Sequence, residues 1–144
     1  MIDEKSNALY YGETVMRSHL QKMIKEIRES DRKYNKVVGI ARGGVIPAVI
    51  ISHHIKLPFY CLEWSKDRPV MFDASAELDA DTLLVDDIID SGQTMVEIME
   101  AYGKMDTATL IYNSDQQLIT PTYHGWRIDR NFIPNWIDFW WEKI

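Results

Sequence analysis

Residues 82–94, TLLVDDIIDSGQT, gather Asp86, Asp87 and Asp90 directly ahead of Ser91, Gly92, Gln93 and Thr94. Carboxylates this close repel one another, so the grouping calls for a ligand rather than for stability. The two halves of the segment suit different chemistry. Ser91 to Thr94 open a helical pattern, where backbone N–H groups and the positive end of the helix dipole can converge on one anion. Gly92 permits close backbone approach, and the hydroxyls of Ser91 and Thr94 add hydrogen bonds. That half reads as a phosphate cradle. Asp86 and Asp87 can accept hydrogen bonds from a ribose diol or hold Mg²⁺ through its waters. A sugar phosphate with a metal satisfies both halves. A single Asp here would ordinarily be a helix cap; three acids followed by Ser-Gly-x-Thr exceed what a cap needs.

The elements that must position these residues are legible as hydrophobic runs between breakers. TLLVD (82–86) is a buried strand, and TMVEIMEAY (94–102) a helix stopped at Gly103. Upstream, residues 14–29 carry Met16, Leu20, Met23, Ile24 and Ile27 at helical spacing, with Thr14 as N-cap. KVVGIA (36–41) is a strand that runs into Arg42-Gly43-Gly44 and a helix over 45–56, with Pro47 tolerated in its first turn. PFYCLEW (58–64) and TATLIY (107–112) are strands, and VMFDA (70–74) a short one. Strand–helix–strand alternation predicts an α/β fold: a parallel twisted sheet with helices on both faces. Ligands of such sheets lie beyond the carboxyl ends of the strands, where the acidic segment sits. From Asn113 the pattern stops, and the Trp-, Tyr-, Pro- and Asn-rich tail is expected to be an irregular extension or hood, over about residues 113–144 of a single 1–144 domain.

Composition narrows the class. A chain of 144 residues can bury a core without a metal or disulfide staple. Its net charge of −6 disfavours nucleic acid as the main partner. Cys61 is the only cysteine, which fits a reducing compartment. The N-terminus lacks a signal-peptide pattern, and VIPAVII (45–51) is too short to span a bilayer. A cytoplasmic protein without a membrane partner is expected. His53-His54 reads as exposed or structural, and Cys61 as core.

Four hydrophobic positions, two acids, two hydrophobics, an acid and then Ser/Thr-Gly-x-Thr resembles the 5-phosphoribosyl 1-diphosphate signature of type I phosphoribosyltransferases, matched here from Leu83 to Thr94. VVGIARGGVIPA (37–48) resembles the pyrophosphate loop of that family, in which Ala41, Arg42, Gly43 and Gly44 would face the diphosphate. The resemblance implies a non-proline cis peptide at or beside Ala41-Arg42. IPNWIDFWWE (133–142) resembles the base-binding hood of bacterial xanthine-guanine phosphoribosyltransferases. It implies that Trp136 stacks on a base, the Ile137 backbone meets its edge and Asp138 accepts from an exocyclic amine. Of the other aromatics there, Trp140 and Trp141 suit the core or an interface. Two positions depart from the family pattern. Asn113 stands where the purine enzymes carry a lysine that reads the 6-oxo group, and Trp140 where a proline is expected.

Taken together, the resemblance implies Mg²⁺-dependent transfer of phosphoribose to a nucleobase, in purine salvage, by a homodimer or homotetramer. Asp90 would be the general base, Asp86 and Asp87 would meet the ribose hydroxyls or metal-bound water, and Ser91, Gly92, Gln93 and Thr94 would hold the phosphate. Lys66 and Arg68, in SKDRPVMFD (65–73), are the cations of the segment expected to cover the diphosphate. A non-catalytic regulator sensing the same diphosphate is the alternative. A receiver domain, which also carries paired acids at a strand end, has no use for the phosphate cradle or the arginine-glycine loop.

Overall fold

Val37 and Val38 are both fully buried, yet they belong to different cores, because successive side chains of a strand point to opposite faces. Leu83 and Val85 likewise face one core while Leu84 faces the other. A strand buried on both sides is the mark of a sheet covered by helices on both faces. The computed structural model, which describes residues 2–3, 7–73 and 76–143, has this architecture.

The main sheet is built from β3 (Lys36–Ile40), β4 (Phe59–Glu63), β5 (Val70–Met71), β6 (Thr82–Ile89), β7 (Asp106–Asn113) and β8 (Tyr123–Ile128). Their order is β5-β4-β3-β6-β7-β8, parallel throughout except for the β4–β5 edge pair. Helices α1 (Glu13–Glu29) and α2 (Val45–Ile55) contribute Met16, Leu20, Met23, Ile24, Ile27, Ala48 and Ile51 to one core. Met95 and Ile98 of α3 (Gln93–Tyr102) fill the other. Strand order reverses between β3 and β6, which are neighbours although β4 and β5 intervene in the chain. Such a switch point leaves a crevice at the strand ends that no connection covers. The turns after β3 and after β6 are residues 41–44 and 90–92, so both sequence motifs meet there.

Several expectations need correction. Helix α1 begins at Glu13 with Gly12 as N-cap, so Thr14 lies inside the first turn and caps nothing. Strand β6 continues three residues past Asp86, because Asp86, Ile88 and Ile89 pair with Thr109, Ile111 and Tyr112 of β7. The paired acids therefore stand on the last stretch of a strand rather than in a loop. The tail is not irregular. Tyr123–Ile128 forms the sixth strand of the main sheet, and β9 (Ile137–Phe139) pairs in parallel with β2 (Ala8–Tyr11). With β1 (Ile2–Asp3) these make a separate three-stranded sheet. The segment expected as a hood thus pairs, through β9, with the early strand β2. Its indoles divide as expected: Trp140 and Trp141 pack against the core, whereas Trp136 is 72% exposed. The short strand expected over 70–74 is seen at Val70–Met71, and Ala74 lies outside the described residues. His53 and His54 are exposed, and Cys61 is only half-buried. No helix among the described residues is long and apolar enough to cross a membrane.

Candidate active site

Asp87 points from the end of β6 toward the turn after β3, while Asp86 lines the cavity at the start of α3. Gly43 lies so close that a Cβ there would overlap the Asp87 carboxylate, with Cγ at 2.5 Å. Gly44 is closer still to backbone: a Cβ would stand 2.5 Å from the Val85 carbonyl and 2.7 Å from that of Ile40. The two glycines are required by this approach of one strand end to the other. The Ala41–Arg42 peptide between β3 and these glycines is cis, as the family resemblance implies, and Arg42 is exposed.

The acids themselves are arranged by backbone donors. Asp86 Oδ1 accepts from the Asp87 N–H at 2.9 Å, and Asp87 Oδ1 from the Ile88 N–H at 2.8 Å. Burial pushes the Asp86 carboxyl well above the usual carboxylate range, and the neighbouring Asp87 charge pushes it further. Asp87 is also pushed up, chiefly by burial, with Glu142 at the end of the hood adding its negative charge. Neither acid forms an ion pair among the described residues. Two desolvated carboxylates without a cation fit a magnesium ion or hydroxyl donors brought by a ligand. No group of three or more metal-ligating side chains occurs among the described residues, so a bound ion would need oxygens from the ligand as well.

These shifts carry a sign. A folded carboxylate with raised proton affinity binds more protons than its unfolded counterpart between the ordinary carboxylate range and its raised folded value. Stability therefore falls as pH rises through that window. Asp86→Asn keeps the Oδ1 acceptor for the Asp87 N–H and removes the charge. The variant is expected to melt about 2–4 °C above wild type near neutral pH, on the order of 1 kcal/mol for a chain this size. The gap should close toward about pH 4, where the wild-type carboxyl is itself protonated. Thermal melts across that range measure it.

The cradle follows. Gly92 has φ +83°, a left-handed conformation open to glycine, and a Cβ there would also strike Gln116 Oε1 and Ile119 at 2.9 Å. This turn lets α3 start immediately after β6. The Gln93 N–H donates to Ser91 Oγ at 3.2 Å, while helix geometry leaves the Thr94 and Met95 N–H groups without intrahelical acceptors. A cavity of about 120 Å³ lies here, lined by Asp86, Ile88, Ile89, Asp90, Ser91, Gly92, Gln93, Thr94 and Met95. Larger grooves, of about 790 and 780 Å³, lie beside α1 and beside α3 and include neither the turn at 41–44 nor the segment 86–94.

Asp90 shows what the sequence reading missed. Arg130 grips it with two bonds, Nε to Oδ1 at 3.0 Å and Nη2 to Oδ2 at 2.9 Å. Arg130 Nη1 donates to the carbonyls of Ile133 and Asn135, just ahead of Trp136. Asn113 is buried, and its amide is heavily used: Nδ2 donates to the Asp90 carbonyl, and Oδ1 accepts from the Asp115 and Arg130 N–H groups. One signal was available in advance. Arg130 lies two residues past a strand-like run that pairs Ile128 with Asn113, within the stretch that its composition marks as irregular. In the hood, Ile137 is buried beside Leu9, and Asp138 pairs with Lys143 at 3.0 Å. Lys66 and Arg68 are exposed on the segment between β4 and β5.

Comparison with known proteins agrees with this geometry. A family profile described as "Phosphoribosyl transferase domain" matches residues 13–118, which span both motifs. The xanthine-guanine phosphoribosyltransferase of Cereibacter sphaeroides is 30% identical over 120 residues, covering 76% of this chain and 70% of that protein. The fold is similar to a purine phosphoribosyltransferase from Pyrococcus horikoshii, with TM-score 0.74, 24% identity and 95% of each chain covered. It is also similar to a xanthine-guanine-hypoxanthine phosphoribosyltransferase from Helicobacter pylori, with TM-score 0.69, 18% identity, and 92% of this chain and 90% of that one covered. A profile match that runs from α1 through the acid pair and its cradle to beyond β7 places the chain, as an enzyme, in the phosphoribosyltransferase family.

Proposed function

We propose that this chain transfers the 5-phosphoribosyl group of 5-phosphoribosyl 1-diphosphate to a purine, releasing pyrophosphate and a nucleoside monophosphate. The observation that carries this reading is the convergence at one switch point of the buried acid pair, the Gly43-Gly44 turn and the open N-terminus of α3. The names of the relatives support the purine. Ser91, Gly92, Gln93 and Thr94 hold the 5-phosphate, and Ala41, Arg42, Gly43 and Gly44 face the diphosphate. Asp86 and Asp87 orient the ribose hydroxyls and are the residues that would hold Mg²⁺, which supplies charge neutralisation of the leaving diphosphate. The C1–oxygen bond breaks, the bond from C1 to the ring nitrogen of the base forms, and the proton displaced from the base passes to Asp90. The segment after β8, through β9 and its pairing with β2, covers the base, with the Ile137 backbone and Asp138 at its edge.

Trp136 has the exposed indole such stacking needs. Trp136→Ala is expected to raise the KM for the base roughly 5–150-fold, from the 1–3 kcal/mol of one stacked ring, with the KM for the diphosphate substrate changed far less. Initial-rate kinetics with each substrate varied in turn checks it.

The test of the reaction is chromatographic. Protein, Mg²⁺ and 5-phosphoribosyl 1-diphosphate are incubated with guanine, xanthine, hypoxanthine or adenine singly. A nucleoside monophosphate from at least one of them is the predicted product; none from any purine would sink the reading. Tight binding of the diphosphate with no product would instead mark a regulator that binds it without transferring from it.

A further inference from the structure

We propose that Arg130 is a specificity-determining residue of this site, donating to an exocyclic oxygen of the incoming base beside the ring proton that Asp90 accepts. The proposal rests on the phosphoribosyl-transfer reading above and goes further, naming the residue that selects the base.

A guanidinium carries five N–H donors. Nε and one N–H of Nη2 are committed to the Asp90 oxygens, and the two of Nη1 to the carbonyls of Ile133 and Asn135. The fifth is the second N–H of Nη2, a nitrogen only 2.9 Å from Asp90 Oδ2. Each Asp90 oxygen keeps a second acceptor site after taking its bond from Arg130. The pair therefore presents a donor and an acceptor side by side. It does so in the sequence neighbourhood of the exposed Trp136, since Asn135, which Arg130 anchors, is the adjacent residue. The guanidinium is also held in orientation: its own backbone N–H donates to Asn113 Oδ1 at 3.2 Å, and only 20% of its side chain is exposed.

The ligand edge complementary to that pair has an oxygen next to a ring N–H. A 6-oxopurine in its N7–H form has this edge, whereas adenine offers an amino group at the same position. An amino donor set against the Arg130 donor leaves both unpaired in a half-buried place. Mismatches of this kind discriminate strongly because the unpaired groups stay desolvated. Asn113 has no charge to offer, and its amide is mostly spent on backbone and on Arg130. Selection of the exocyclic oxygen thus falls to a residue from the segment after β8.

The test compares kcat/KM for hypoxanthine and adenine in wild type, Arg130→Gln and Arg130→Lys. Wild type should prefer hypoxanthine. Arg130→Gln should lose about 30–100-fold on hypoxanthine and only about 3–10-fold on adenine, the share owed to a loosened Asp90, so the preference collapses while the KM for the diphosphate substrate holds. Arg130→Lys, which keeps charge without the fork, should recover part of the preference, and it carries the comparison if Arg130→Gln does not fold. A wild-type preference for adenine would overturn the proposal. So would both bases falling together, which would make Arg130 a structural tether, or neither base changing. These outcomes leave phosphoribosyl transfer intact; only a wild type that turns over no purine removes both.

Discussion

Asp90→Asn is expected to lower kcat by about 10²–10⁴-fold, the usual range for a displaced general base. The prediction depends on where Asp90 sits: just past the end of β6, in the lining of the proposed phosphate cradle, and held by an Arg130 that also binds the carbonyls of Ile133 and Asn135. The asparagine keeps one acceptor for Arg130, so the tether between the signature turn and residues 133–135 is weakened rather than cut. An ion pair with its carboxylate 49% exposed contributes little to stability, so the melting temperature should move by only about 2–4 °C. Single-turnover rates separate the lost proton transfer from any change in binding. A variant retaining more than about a third of wild-type kcat would remove Asp90 from the chemistry.

Gly44→Ala is expected to be the most destabilising small substitution at the site. Its methyl would stand 2.5 Å from the Val85 carbonyl, 2.7 Å from the Ile40 carbonyl and 2.8 Å from the Asp86 Cα. All three obstacles are backbone, and none can rotate away. Gly44 itself has an ordinary right-handed conformation, φ −70°, so the effect comes from space alone. Overpacking of this kind costs about 1–3 kcal/mol, and the upper end applies when strands must part. A fall of roughly 6–12 °C in melting temperature follows for a chain of this size. Gly43→Ala makes an instructive contrast. Its methyl meets the Asp87 side chain, which can turn aside, so stability should suffer less than the geometry of the acid pair. Thermal melts of the two variants, read beside their activities, check the distinction.

The parts of this fold that were legible in the sequence are those whose residues answer to one local rule. Helix α1 follows from the spacing of Met16, Leu20, Met23, Ile24 and Ile27, and the strand–turn–helix units at 36–55 and 82–102 from apolar runs broken by glycine. The acid pair stood out because its like charges oppose folding. What stayed hidden depends on partners far away in the chain. Strand β9 is three residues long and exists because Leu9, Tyr10 and Tyr11 pair with it, which no window around residue 137 reveals. Strand β8, YHGWRI, has Gly125 in its middle and His, Arg and Trp where a buried strand would carry aliphatics. It holds as an edge strand because His19 of α1 packs directly over Gly125. Arg130 was missed for the same reason. Its importance comes from Asp90, forty residues earlier, and a lone arginine in a polar segment ordinarily reads as surface.

In the proposed reaction the turns after β3 and β6 form one site for a phosphorylated ribose carrying a diphosphate. Calorimetric titration of 5-phosphoribosyl 1-diphosphate, with and without Mg²⁺, into wild type and Gly43→Ala tests it most directly. One ligand per chain is expected in wild type, bound tighter with Mg²⁺, and binding at least about tenfold weaker, or about 1.4 kcal/mol, when the new methyl displaces Asp87. Equal affinity in the two proteins, or no binding to wild type, would contradict it.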